Sequence, residues 1–172
     1  MHSSAIDQVI SRLKLLPLEP EGGFFVQTFQ ATEVVATARG NRPASTAIYY
    51  LLTRETISRL HLLHQTEVWH FYFGDPVIHE SWNPNAALSL HRVVLGHAIH
   101  QGEVPQLVVP AGSWQTAQLA PTGPCGFALL GATMSPGFSF EDFELAGPST
   151  PFPTEIALAW REHLSSTKAV PP

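Results

Sequence analysis

Apolar residues recur along this chain in short alternating runs broken by turn residues, and that period of two predicts strands. Runs over 24–29, 45–52, 57–63, 67–73, 77–82, 89–95, 106–109, 113–119, 126–133 and 141–145 each read as one strand. Gly74-Asp-Pro76, Asn83-Pro-Asn85 and Gly102-Glu-Val-Pro105 supply turns between them. The stretch 31–42 reads as a loop or a weak edge hairpin around Arg39-Gly-Asn41. Two segments instead show helical spacing. After a Ser4 cap, Ile6, Val9, Ile10 and Leu13 share one face of a helix over about 4–15. Near the other end, 154–164 places Ile156, Ala159 and Trp160 on a docking face.

Composition sharpens this to an all-β class. Charged residues make up 13% of the 172 positions, against roughly a quarter in typical soluble proteins, while 15 prolines and 12 glycines punctuate the chain. Many short strands with frequent turns fit a sandwich or barrel, and the length fits one domain over 1–172, with the barrel over about 24–146. The low charge further suggests a surface covered by a second subunit. A net charge of −5 without a basic cluster argues against nucleic acid and against an anionic membrane. The N-terminal residues lack the pattern of a signal peptide, and no apolar run reaches the roughly 18 residues of a membrane span, so the expectation is a cytoplasmic protein. Cys125 is the single cysteine, so it forms no intrachain disulfide.

The candidate chemistry concentrates in 61–76, where His61, His64, Glu67 and His70 stand among Trp69, Phe71 and Phe73. Imidazole and carboxylate bind metals or move protons near neutral pH, and burying them is costly unless they are paired or used. Strand alternation puts Glu67, Trp69, Phe71 and Phe73 on one face and Val68, His70 and Tyr72 on the other. Neighbouring strands can bring His61 beside Glu67. A carboxylate that orients an imidazole makes a competent proton-transfer pair, and Tyr49 or Tyr50 could supply a separate acid. The bland alternative is a satisfied buried hydrogen-bond pair.

Pro20-Glu-Gly-Gly-Phe24, Ser45-Thr-Ala-Ile-Tyr-Tyr50, Glu67-Val-Trp-His-Phe-Tyr72, Gly102-Glu-Val-Pro-Gln106 and Val109-Pro-Ala-Gly-Ser-Trp-Gln115 resemble, in order and spacing, the DUF985 or cupin-5 family. The resemblance implies a double-stranded β-helix (cupin jelly-roll) barrel, a homodimer and a small-molecule ligand. It also implies a likeness to dTDP-4-dehydrorhamnose 3,5-epimerase, in whose wider superfamily a His–carboxylate pair carries proton transfer. A metal-binding cupin would place its ligands at His61, Leu63, Glu67 and Gln115, of which only the first and third are good donors. A divalent transition metal is therefore disfavoured, and would need His61, Glu67 and either His64 or His70. Relative to the family, Leu62, Thr66 and Glu19 replace Arg, Asp and His. The resulting expectation is His61 and Glu67 as catalytic groups acting on a polar, carbohydrate-like ligand positioned by Ser45, Trp69, Trp114 and Gln115. The rivals are a metal-dependent enzyme and a non-catalytic binding or sensing protein.

Overall fold

The computed structural model describes residues 4–86 and 90–165. Helix α1 (Ala5–Leu13) starts from a reciprocal capping box, in which Ser4 and Asp7 bond each other's backbone N–H, and ends at Lys14 in the left-handed conformation. Among the described residues thirteen strands follow. They are β1 (Leu16–Pro17), β2 (Phe24–Gln30), β3 (Val34–Thr37), β4 (Gly40–Pro43), β5 (Thr46–Thr53), β6 (Ser58–Leu63) and β7 (Glu67–Gly74). After them come β8 (Val77–Trp82), β9 (His91–Leu95), β10 (Gln106–Val109), β11 (Ser113–Leu119), β12 (Phe127–Met134) and β13 (Phe143–Leu145). The predicted start of the ninth strand at Ser89 lies outside the described residues.

The strands form two antiparallel sheets, ordered β1-β2-β5-β12-β7-β10 and β13-β6-β11-β8-β9, with β3 and β4 as a separate hairpin. This mostly β, antiparallel arrangement matches the class expected from the pattern of the sequence. The core lies between the sheets. Tyr50, Leu52, Trp69, Phe71 and Leu130 from the first meet Val77, Leu95, Ala117 and Leu119 from the second. Strand β7 keeps Glu67, Trp69 and Phe71 inward, but the pairing with β12 slips between Phe71 and Phe73. The extra residue turns Phe73 outward, where it is 54% exposed, so the expected four-residue inward face stops at Phe71.

Outer faces are covered at both chain ends. Ile6, Val9, Ile10 and Leu13 of α1 pack on the outside of the larger sheet around Leu51 and Phe127. The C-terminal helix is shorter than its pattern predicts: α2 (Thr154–Ala159) breaks at Trp160 before α3 (Arg161–Ser165). Ile156 and Trp160 dock on Leu60 and Trp82, whereas Ala159 faces solvent.

The weak-hairpin reading of 31–42 holds in β3 and β4, and side chains fix where the hairpin sits. Arg42 forms a two-pronged bond to the buried Asp142 (Nε–Oδ2 2.7 Å, Nη2–Oδ1 3.1 Å), and Arg39 Nε adds a bond of 2.9 Å. The Arg42 guanidinium holds the Asp142 carboxyl below the usual carboxylate range. Asp142 ends the segment carrying Phe138 and Phe140, so the hairpin anchors that segment at the mouth of a cavity.

Candidate functional site

A cavity of about 200 Å³ opens between the sheets. Aromatic and aliphatic side chains make most of its wall, with Phe25, Ile48, Leu63, Trp69 and Met134 inside and Phe138, Phe140 and Phe143 along one side. Its polar groups include Glu21, Tyr50 and Glu67. Glu21 reaches inward from the turn before β2, and Ser58 Oγ donates to its Oε1 at 2.8 Å. That turn needs glycine. At Gly22 (φ +107°) a Cβ would lie 2.3 Å from the Ile57 carbonyl oxygen, and at Gly23 (φ +72°) it would press on the Tyr50 ring. Tyr50, whose hydroxyl donates to the Gly22 carbonyl at 2.9 Å, is thereby brought beside Glu21. Burial and the Glu21 charge push the Tyr50 phenol well above its ordinary value.

Behind Glu67 runs a branched set of hydrogen bonds centred on Gln115. Register supplies it: Gln115 on β11 is paired directly with His61 on β6, and lies diagonally across from His79, the partner of Ala117, on β8. Gln115 Nε2 donates to Glu67 Oε2 at 2.7 Å and faces His61 Nε2 at 3.2 Å, while Gln115 Oε1 lies 2.9 Å from His79 Nε2. Trp69 Nε1 donates a second bond to Glu67 Oε2 at 2.8 Å.

This network fixes every proton. A carboxylate only accepts, so the Gln115 amide nitrogen must face Glu67 and its oxygen must face His79. His79 therefore donates from Nε2. His61 accepts at Nε2 and donates from Nδ1 to the Arg59 carbonyl at 2.7 Å. Both bonds to Glu67 fall on Oε2, and Oε1 has no partner among the described residues. Burial raises the Glu67 pKa above its ordinary value, helped by the Glu21 charge and opposed by the bonds from Gln115 and Trp69.

The expected site residues fall into separate places. Glu67 and Trp69 line the cavity. His61 and Gln115 are fully buried behind the wall; Gln115 bonds Glu67 directly, whereas the expected His61–Glu67 pair is linked only through Gln115, and the Phe143 ring, which does line the cavity, stacks on His61 at 5.3 Å. Trp114 cannot join Gln115, because adjacent strand residues face opposite ways; it packs outward on Phe152 under the C-terminal helix. Ser45 is turned away for the same reason. Its hydroxyl donates to the Met134 carbonyl at 2.9 Å, and the next residue, Thr46, lines the cavity instead. Of the two tyrosines, Tyr50 faces inward, while Tyr49 meets Tyr72 edge-on outside.

Two residues outside the expected set, Glu21 and His79, prove central to this geometry. Val77, His79 and Ser81 share the buried face of β8, so the alternation contained a signal, but only cross-strand register joins His79 to Gln115. His79 Nδ1 is buried without a partner among the described residues. Burial pulls the His79 pKa down to about 4, so the ring is neutral at pH 7. The folded state then binds this proton less readily than the unfolded chain. Its contribution to stability is complete above about pH 6.5 and is lost as pH falls toward 4, roughly 3 kcal/mol in all. His79→Gln, which keeps an N–H donor but does not titrate, should flatten the stability profile by that amount over this window; urea unfolding at several pH values measures it.

The residues do not fit the metal site of a four-ligand cupin. Among the described residues no three His, Cys, Asp or Glu side chains converge as a ligand set. Leu63 offers no donor atom, and Gln115 turns its N–H groups toward both His61 and Glu67, where a cation would need lone pairs. The substitutes are elsewhere. His64 pairs with Glu144 away from the cavity wall, and His70 lies on the opposite face of β7, bonded to Thr133 Oγ1 at 3.1 Å and stacked on Tyr72.

A sequence profile for the family described as Cupin superfamily (DUF985) matches residues 7–146. The chain belongs to this family. A hypothetical protein from Leishmania major is 28% identical, with a TM-score of 0.81 over 95% of this chain and 96% of that one. A Shewanella oneidensis protein is 30% identical, with a TM-score of 0.75 over 95% and 94%. Oxalate decarboxylase from Bacillus subtilis shares the fold at 17% identity and a TM-score of 0.54, covering 84% of this cupin but 34% of that chain. No curated protein matches the chain. Among the described residues no helix of this cupin is long and apolar enough to cross a membrane.

Proposed function

We propose that this cupin binds a small molecule between its sheets and moves a proton on it through Glu67. The observation that carries this reading is the state of that carboxylate. Glu67 is buried in the cavity wall, has Oε1 free of partners among the described residues, and has its pKa raised above the ordinary carboxylate value, the direction that suits an acid–base group. Oε1 takes a proton from one position of the ligand and returns it to another, a redox-neutral exchange of the isomerase or epimerase kind. Gln115 and Trp69 hold Oε2 and so aim Oε1. His61 and His79 act as positioning groups through Gln115.

The wall also narrows the ligand. Pockets for drug-sized molecules run from about 300 Å³ upward, so this one suits something smaller. Its mainly apolar lining suits a compact ligand with one polar end better than a sugar ring. The test is solvent exchange. The full chain is incubated in D₂O with a panel of small carbonyl and amine compounds that carry an activated C–H bond, and NMR follows deuterium uptake. Uptake in at least one compound, lost in Glu67→Gln, is expected; equal uptake in the variant, or binding with no uptake in any compound, contradicts proton transfer.

A further inference from the structure

Three carboxylates, Glu19, Glu21 and Glu67, line the cavity, while no lysine, arginine or histidine does so among the described residues. Glu19 is exposed and Glu21 half-buried, whereas Glu67 is enclosed. Glu67 is 7% exposed and lines the cavity, with both its hydrogen bonds on Oε2 and none on Oε1 among the described residues. Glu21 is tethered by Ser58, and its charge is felt at both Glu67 and Tyr50. Six aromatic rings, those of Phe25, Tyr50, Trp69, Phe138, Phe140 and Phe143, complete the surroundings.

Each ligand charge meets this wall differently. An anion would stand against like charge with no basic group to receive it. A neutral ligand would leave buried negative charge without a counter-ion. A cation supplies that counter-charge, donates N–H bonds to acceptor-only oxygens, and is attracted to aromatic faces. The volume of about 200 Å³ exceeds the roughly 150 Å³ known to admit benzene, which leaves room for a ring with a short charged arm.

We infer that the cavity selects small organic ammonium ions, a protonated amine on a compact apolar or aromatic body, with the ammonium group held by Glu21 and Glu67. This inference rests on the reading of the cavity as the ligand site. It is independent of whether turnover follows.

The test uses three probes of similar shape and different charge at neutral pH: benzylamine, benzyl alcohol and benzoate, titrated calorimetrically into the full chain. Benzylamine should bind at least tenfold more tightly than benzyl alcohol, and benzoate should give no heat of binding. Glu21→Gln and Glu67→Gln should each weaken benzylamine at least tenfold and leave the alcohol nearly unchanged, with thermal melting of each variant confirming the fold. If the alcohol or benzoate matches or exceeds benzylamine, charge selection is overturned while the cavity stands as a ligand site. Ala132→Leu, which fills the cavity, separates the two ideas. Benzylamine binding that survives this variant, or the failure of all three probes to bind the unaltered chain, overturns both.

Discussion

Replacing Glu67 with glutamine should leave the fold intact, raise its stability at neutral pH and remove about 10²–10⁴-fold of any proton-transfer activity. The fold survives because a glutamine oxygen can accept both bonds that Oε2 now accepts, from Trp69 and Gln115. Stability rises because an ionised carboxylate no longer has to be buried. Burial raises the Glu67 pKa, so the folded state holds its proton to higher pH than the unfolded chain does. The contribution of Glu67 therefore favours folding fully below about pH 4.5 and is lost as pH climbs through the raised value. The stability advantage of the variant should widen over that climb, and paired urea unfolding curves from pH 4 to 8 measure it. A variant that is more stable and less active identifies a group retained for function at a cost in stability.

Gln115→Leu should have the opposite character, a large loss of stability of about 3–5 kcal/mol. Gln115 is fully buried and serves three partners at once. Leucine fills similar space but leaves His79 Nε2 without an acceptor, His61 Nε2 without a donor, and Glu67 Oε2 with Trp69 alone. Each buried polar group stranded this way costs about 1–3 kcal/mol. The loss appears as a lower denaturant midpoint with an unchanged slope. Ligand binding should fall as well, because Glu67 is then free to turn away from the cavity.

The two variants mark how far the sequence could be read. Period-two patterning and turn residues located the strands, and alternation alone placed Glu67 and Trp69 on one side of β7 with His70 on the other. The same alternation separates Trp114 from Gln115, so the outward position of Trp114 is legible in the sequence itself. The outward turn of Phe73 is not, because a bulge arises from pairing with β12 and leaves no mark in β7 itself. The ligand spacing of a cupin pointed to His61, Leu63, Glu67 and Gln115, which do gather, since register puts Gln115 opposite His61. Their chemistry could not be read from spacing: Gln115 holds the group together with N–H donors where an ion would need lone pairs. Glu21 and His79 join from distant strands and turns through three-dimensional register. The Arg42–Asp142 pair that anchors the cavity mouth spans 100 residues and carries no local signature.

The central claim is that Glu67 is a buried, ligand-responsive carboxyl group in the cavity wall. Its direct test is a ¹³C NMR titration of the glutamate carboxyl carbons in the full chain, with Glu67→Gln used to assign the signal, performed with and without benzylamine. Glu67 should titrate above its ordinary value of 4.5 in the free protein and move downward when the amine is bound. A signal that titrates at the ordinary value and ignores a bound ligand would contradict the account.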